Sequence, residues 1–286
     1  MIDQADALRN LVRDRGVSLP RRRRSDVYKV AITSGKGGVG KTSLATNLAI
    51  TLAAMCGRAW LIDADFGLSN AEVLLGVKPK YTLEDVARGR IDPSAAWTDC
   101  GGGLRLISSG TGLDAMANLD GITGAELINW VLESVPEDGI VVIDTAPGID
   151  DSVISLLSLA DEVLVVTTPE PTSITDSYAA IKVLTQSQPD CQISLVSNCC
   201  SSPSQAGVVA KGLDGICKRF LARSFQRHEY VPSDAAVRHA ILTRRPFATH
   251  APNSPATVWL RRMAIKLTER RRKSHSSHAG PALVEV

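Results

Sequence analysis

Lys36 and Lys41 lie in the stretch SGKGGVGKT, Ser34 to Thr42, whose glycines and hydroxyls suit the handling of phosphate. Gly35, Gly40, Lys41 and Thr42 fit the spacing G-x-x-x-x-G-K-[ST]. In such a loop Gly35, Gly37, Gly38 and Gly40, with Val39 among them, let backbone N–H groups turn inward around a β-phosphate. A helix opening at Thr42 and Ser43 adds the positive end of its dipole. Lys41 is then the cation for the β- and γ-phosphates, and the Thr42 hydroxyl is a ligand for Mg²⁺. One lysine suffices for that task, so Lys36 needs a role of its own.

The same glycines also spell G-x-G-x-x-G, with Asp63 and Asp65 about twenty residues on, as in a dinucleotide-binding unit. Lys-Thr directly after the last glycine decides for a triphosphate. A second acid agrees: IVVID ends in Asp144, the strand-end carboxylate that holds Mg²⁺ through water in P-loop enzymes.

These groups must be carried by a scaffold, and the chain supplies one. From Val27 on, the short apolar runs VYKVAITSG, AWLIDAD, LRLISSG, GIVVIDTA, EVLVVTTP and QISLVSN read as strands buried on both faces of a parallel sheet. Between and after them, helical spacing predicts helices over 42–55, 124–134, 152–159, 172–186, 204–220, 234–244 and 254–272. Alternation of this kind predicts an α/β P-loop NTPase fold, a mostly parallel twisted sheet with helices on both faces. The expected organisation is an N-terminal arm over 1–24, one ATPase domain over 25–273, and a disordered tail over 274–286. The arm reads as a short amphipathic helix followed by a linker with four arginines, Arg21 to Arg24.

Composition narrows the function classes. A net charge of +2 over 286 residues gives no global attraction to nucleic acid, and the basic residues gather locally in the arm and near the C-terminus. The six cysteines form no C-x-x-C pair, which argues against a zinc site or a disulfide scaffold and fits a reduced compartment. Without a signal-like N-terminus or a long apolar run, a cytoplasmic location is expected, with peripheral contact to the inner face of the membrane the one exception considered.

With both lysines, Asp63, Asp65 and IDTAPG in view, the chain resembles the MinD/ParA class of P-loop ATPases with the deviant K-G-G-x-G-K-T loop. DADFGLSNAEVLLG, TTPEPTSITDSYAAIK and VPSDAAVRHAI are similar to the FlhG/FleN/YlxH branch, which controls flagellar number and placement. The resemblance implies ATP and Mg²⁺ as cofactors, slow hydrolysis and an ATP-dependent homodimer. Lys36 would reach across the two-fold axis to the other subunit's phosphates, as an arginine finger does. Asp65 would organise the attacking water and Asp63 would support Mg²⁺, with a cap on the following GLSN segment as the alternative for either acid. Asn198 would read the adenine edge, and Pro232 and Asp234 would flank the base from the other side. Gly148 and Asp150 fall where a γ-phosphate-sensing switch would lie, and Glu170 to Asp176 on the dimer face.

DQADALR, with Asp3, Gln4, Ala5, Leu8 and Arg9, is similar to the element with which this branch contacts and stimulates FlhF, a signal-recognition-type GTPase. A flagellar basal-body protein or transcription regulator is a further partner implied. A partition or cell-division positioning ATPase acting on DNA or membrane is the alternative. Leu260, Met263, Ala264 and Leu267 recur at helical spacing among basic residues, which fits either a last helix covering the sheet or a membrane-surface helix with Trp259 at the interface. Covering the sheet is the favoured reading.

Overall fold

The computed structural model describes residues 27–67, 69–110, 121–136, 138–225 and 227–278. The expected arm contacts Asp3, Gln4, Ala5, Leu8 and Arg9 lie outside the described residues. β1 (Tyr28–Thr33) leads through the glycine loop into α1 (Lys41–Cys56), which Gly57 ends in a left-handed conformation. β2 (Ala59–Ala64), the short helices α2 (Ala71–Leu75) and α3 (Leu83–Ala87), β3 (Thr98–Asp99) and β4 (Leu104–Ile107) follow. Next come α4 (Gly121–Glu133), β5 (Ile140–Thr145), α5 (Asp151–Leu157), β6 (Glu162–Thr167) and α6 (Pro171–Ser187). The chain continues through β7 (Ile193–Cys200), α7 (Pro203–Leu221), β8 (His228–Pro232), α8 (Ala235–Thr243), α9 (Phe247–His250) and α10 (Pro255–His278).

The sheet runs β3-β4-β2-β5-β1-β6-β7-β8, with every pair parallel except β3 and β4. It matches the expected fold class, and the six apolar runs are six of its strands. Alternation sorts the strand residues between two cores: Val30 and Ile32 of β1 face α1 and α10, whereas Ala31 faces α4 to α7. Because β1 lies between β5 and β6, neither of which is its neighbour in sequence, the loop after it opens into the crevice at the carboxyl ends of the strands.

The fold departs from expectation in identifiable ways. Pro171 and Pro203 stand at the first helical position, where a missing N–H costs nothing, so both helices start one residue early. α10 runs to His278, past the Lys273 boundary set for a disordered tail. Its apolar stripe, Leu260, Met263, Ala264 and Leu267, is buried on the sheet, as the favoured reading had it. Trp259 packs edge-on against Tyr230, with Arg262 over its ring. Two of the basic residues are committed to ion pairs within the fold: half-exposed Lys266 pairs with buried Glu229, and Arg270 with both Glu229 and fully buried Glu162. Among the described residues no helix is long and apolar enough to cross a membrane.

Candidate active site

The glycine loop is shaped by its neighbours. Gly38 and Gly40 have φ of 79° and 91°, a region that side chains rarely enter. Gly35 is required for a different reason: a Cβ there would stand 2.0 Å from the Asp176 carbonyl, because α6 lies directly on the loop. Ser34 donates its hydroxyl to the Lys36 carbonyl, and the Gly148 N–H reaches the Ser34 carbonyl at 2.9 Å, tying the segment after β5 to the loop's entrance. Asn198, at the end of β7, donates an amide hydrogen to the Val39 carbonyl at 2.8 Å. Among the described residues no other partner takes its second amide hydrogen or Oδ1, which are the groups a ligand could meet.

Lys41 is 7 % exposed, and burial lowers its pKa against the opposing pull of Asp144 and Asp65. A buried ammonium facing acids at the mouth of a glycine loop is a cation waiting for an anion. Thr42 and Ser43, in the first turn of α1, are half-buried.

Asp144 carries the strongest sign of a missing ligand. It is fully buried, and neither carboxylate oxygen has a hydrogen-bond partner among the described residues. Burial first, then the neighbouring Asp63, pushes its pKa up to about 8, with Thr42 and Lys41 only partly offsetting this. A carboxylate in that condition suits a hydrated divalent cation shared with the Thr42 hydroxyl. The donor set, one hydroxyl and carboxylate oxygens, is that of Mg²⁺.

Asp63 sits beside Asp144 in the β2–β5 register, yet its oxygens are taken. Its Oδ2 accepts from Ser69 Oγ (2.8 Å), Asn70 N (3.1 Å) and Ala71 N (3.0 Å), and its Oδ1 from Asp65 N (3.2 Å). Asp63, expected to support Mg²⁺, has both oxygens engaged by these donors: the carboxylate closes the turn that follows it and holds the start of α2. That turn carries Asp65, whose carbonyl accepts from Ser109 Oγ at 2.9 Å and whose Oδ1 accepts from Gly67 N at 3.3 Å. Ser108 bridges Ser69 (2.7 Å) and Glu72 (2.6 Å). Sequence reading passed over these serines. The signal was SSG at the end of the LRLISSG run, two hydroxyls at a strand's carboxyl end on the site side of the sheet.

Lys36 lies at the loop's outer edge, where its Nζ meets Glu170 Oε2 at 3.1 Å and Thr172 Oγ1 at 3.2 Å, at the start of α6. Asp234, expected to flank the base, is engaged by backbone donors. Its oxygens accept from Ala236 N (2.8 Å) and Ala256 N (3.0 Å), so the side chain caps α8 and joins it to α10. Pro232 closes β8, which hydrogen-bonds to β7 on the Asn198 side of the sheet.

The sequence of residues 27–268 matches the family model described as NUBPL iron-transfer P-loop NTPase, of the ParA group. The antiactivator FleN of Pseudomonas aeruginosa is 38 % identical over 241 residues, covering 84 % of this chain and 86 % of that protein. The flagellum site-determining protein YlxH of Helicobacter pylori is 30 % identical, covering 88 % of this chain and 86 % of its own. The septum site-determining protein MinD of Pyrococcus horikoshii OT3, solved in complex with Mg-ADP, superposes with a TM-score of 0.69 at 22 % identity, covering 84 % of this chain and 96 % of that one. A phosphate loop with a buried lysine, an unsatisfied strand-end aspartate and a second lysine at the rim, on this sheet order and with these relatives, make the chain a member of the ParA/MinD family of P-loop ATPases.

Proposed function

We propose that the chain is an ATP-dependent monomer–dimer switch that regulates flagellar number or placement. The observation that carries this reading is Lys36. Its ammonium is not directed into its own phosphate loop but stands at the rim, 40 % exposed, on an ion pair with a 66 % exposed Glu170. An exposed pair of this kind contributes at most ~1 kcal/mol, so the amine is released at little cost when a better anion arrives. The γ-phosphate of a facing protomer is such an anion. FleN and YlxH, named as an antiactivator and a flagellum site-determining protein, support the flagellar assignment.

In the loaded site Gly35 to Ser43 and Lys41 would bind the phosphates, and the free amide edge of Asn198, with Pro232 opposite, would select adenine. Thr42 and, through water, Asp144 would hold Mg²⁺, which would supply positive charge against the phosphates. Asp65, fixed through its N–H by Asp63 and through its carbonyl by Ser109, would orient the attacking water. A monomer lacks the second amine and hydrolyses slowly; pairing completes the site, and hydrolysis resets it. The arm residues Asp3, Gln4, Ala5, Leu8 and Arg9 would engage an FlhF-type GTPase and stimulate it, at the cytoplasmic face of the flagellar site.

Light scattering with ADP and ATP tests this directly. The parent chain and Asp65→Ala should double in mass with ATP only, and Lys36→Ala should stay monomeric and lose hydrolysis. Equal mass with both nucleotides in the Asp65→Ala protein, or an unaltered rate in Lys36→Ala, refutes the switch.

A further inference from the structure

A cavity of about 450 Å³ opens at the amino ends of β2 and β4, at the other end of the strands from the phosphate loop. That volume falls in the range of small-molecule sites. Strand register builds it. Trp60 of β2 is paired with Arg105 of β4, and Arg105 with Asp99 of β3, so the three stand in one cross-strand row and share a face of the sheet. Trp97, two residues before Asp99, and Ser134, just past α4, complete the wall. The β3–β4 hairpin turns through Gly101 and Gly102 at φ of 78° and 58°, where the absence of side chains leaves the rim open.

Some of its polar groups are engaged and others are not. Trp97 donates its indole N–H to Ser134 Oγ at 2.8 Å, and Ser134 donates to the Val131 carbonyl at 2.7 Å, so this wall offers carbon to a ligand. Buried Trp60 extends it. Arg58, with its guanidinium 5.9 Å from the Trp60 ring centroid, is held by the Asp138 carboxylate. Arg105 differs: it is exposed and makes no ion pair among the described residues, although Asp99 stands across the ladder from it. Asp99 accepts from Gly101 N through Oδ1 at 2.8 Å, and among the described residues no donor takes its Oδ2. The charged side chains lining the cavity are thus two guanidiniums and one carboxylate.

We propose that this cavity binds a purine mononucleotide, with its phosphate on Arg105, its base against Trp97 and Trp60, and a ribose hydroxyl or ring amine on Asp99. A guanidinium fork without a partner matches a phosphate in shape and charge. The indole wall gives a flat base apolar contact. A carboxylate oxygen only accepts, which calls for a donor on the same ligand. The site is separate from the ATP switch: the phosphate loop grips a β-phosphate, which a mononucleotide lacks, and the six residues of β2 lie between the two.

Titration calorimetry of the nucleotide-free full chain with AMP and then GMP tests this. Saturable binding of either is expected. Lys41→Ala, which disables the phosphate loop, should bind the mononucleotide as the parent does. Arg105→Ala should bind it about tenfold or more weakly while keeping ATP hydrolysis, which reports an intact fold. Absence of saturable binding of both nucleotides overturns the proposal, as does undiminished binding by Arg105→Ala. Loss of binding in Lys41→Ala would put the mononucleotide in the phosphate loop and overturn it equally. Adenosine or guanosine bound as tightly as its monophosphate, or displacement of the nucleotide by an equal concentration of inorganic phosphate, would show that base and phosphate are not read together and would also overturn the assignment.

Discussion

Replacing Asp63 by asparagine should make the protein more stable and a poorer enzyme at once. The three donors on Oδ2, from Ser69, Asn70 and Ala71, hold the amide carbonyl in that position, which turns Nδ2 toward Asp65 N where Oδ1 had accepted at 3.2 Å. Two N–H groups then face each other, and the turn carrying Asp65 is unseated at that end only. The stability gain comes from the charge. Burial first, partly offset by those hydrogen bonds, lifts the Asp63 carboxyl above its usual range, so that its ionisation at neutral pH is held against the folded state by on the order of a few kcal/mol. Because the folded pKa lies above the unfolded one, the penalty is absent at low pH and grows as pH rises through 6. Asparagine never carries it. Thermal unfolding of the nucleotide-free protein should therefore show Asp63→Asn melting several degrees higher at pH 7.5, with the gap to the parent roughly halved at pH 5. ATP turnover should fall by about 10- to 100-fold through the displaced Asp65. The Mg²⁺ concentration for half-maximal rate should not change. A raised Mg²⁺ requirement would return Asp63 to the metal, and a lower melting temperature would refute the electrostatic argument.

Three other perturbations have defined outcomes. Glu170→Gln removes the carboxylate that holds Lys36 in its own subunit; since the exposed pair contributes at most about 1 kcal/mol, ATP-dependent dimerisation measured by sedimentation should tighten by about two- to fivefold, and a weakened dimer would contradict the release step. Arg270→Ala leaves Glu162, fully buried and hydrogen-bonded by Tyr28 and Ser194, with Arg227 at 3.5 Å as the one counter-charge among the described residues, so urea unfolding should lose about 3–5 kcal/mol. His228, hydrogen-bonded to Ser197 Oγ at 3.0 Å, has its pKa lowered by burial. The folded state thus resists protonation, and its contribution to stability, complete above about 6.5, is lost as pH falls below it, with a slope of no more than about 1.4 kcal/mol per pH unit. His228→Gln should flatten that limb of the melting-temperature profile.

What could be read in the sequence, and what could not, follows from how far each interaction reaches along the chain. Gly38, Gly40, Lys41 and Thr42 act through backbone and side chains within one loop and one helix turn, so spacing alone exposes them. The six buried strands are legible for the same reason, each being a continuous apolar run. The short antiparallel β3 and the edge strand β8, with His228 and Glu229 in its five residues, have no such run. Asp63 and Asp65 are indistinguishable as letters two apart. They part company only because Ser69, Asn70 and Ala71 fold back on the first and Ser109, from a strand end forty-four positions away, holds the second. The capping role of Asp234 is hidden for a similar reason, its second partner being Ala256 at the start of another helix. Asp63 and Asp234 are carboxylates held by several donors, whereas the oxygens of Asp144 have no hydrogen-bond partner of good geometry among the described residues. In a buried phosphate site the sequence names the acids, while donor count separates the one left for a cation from those that hold the chain in shape.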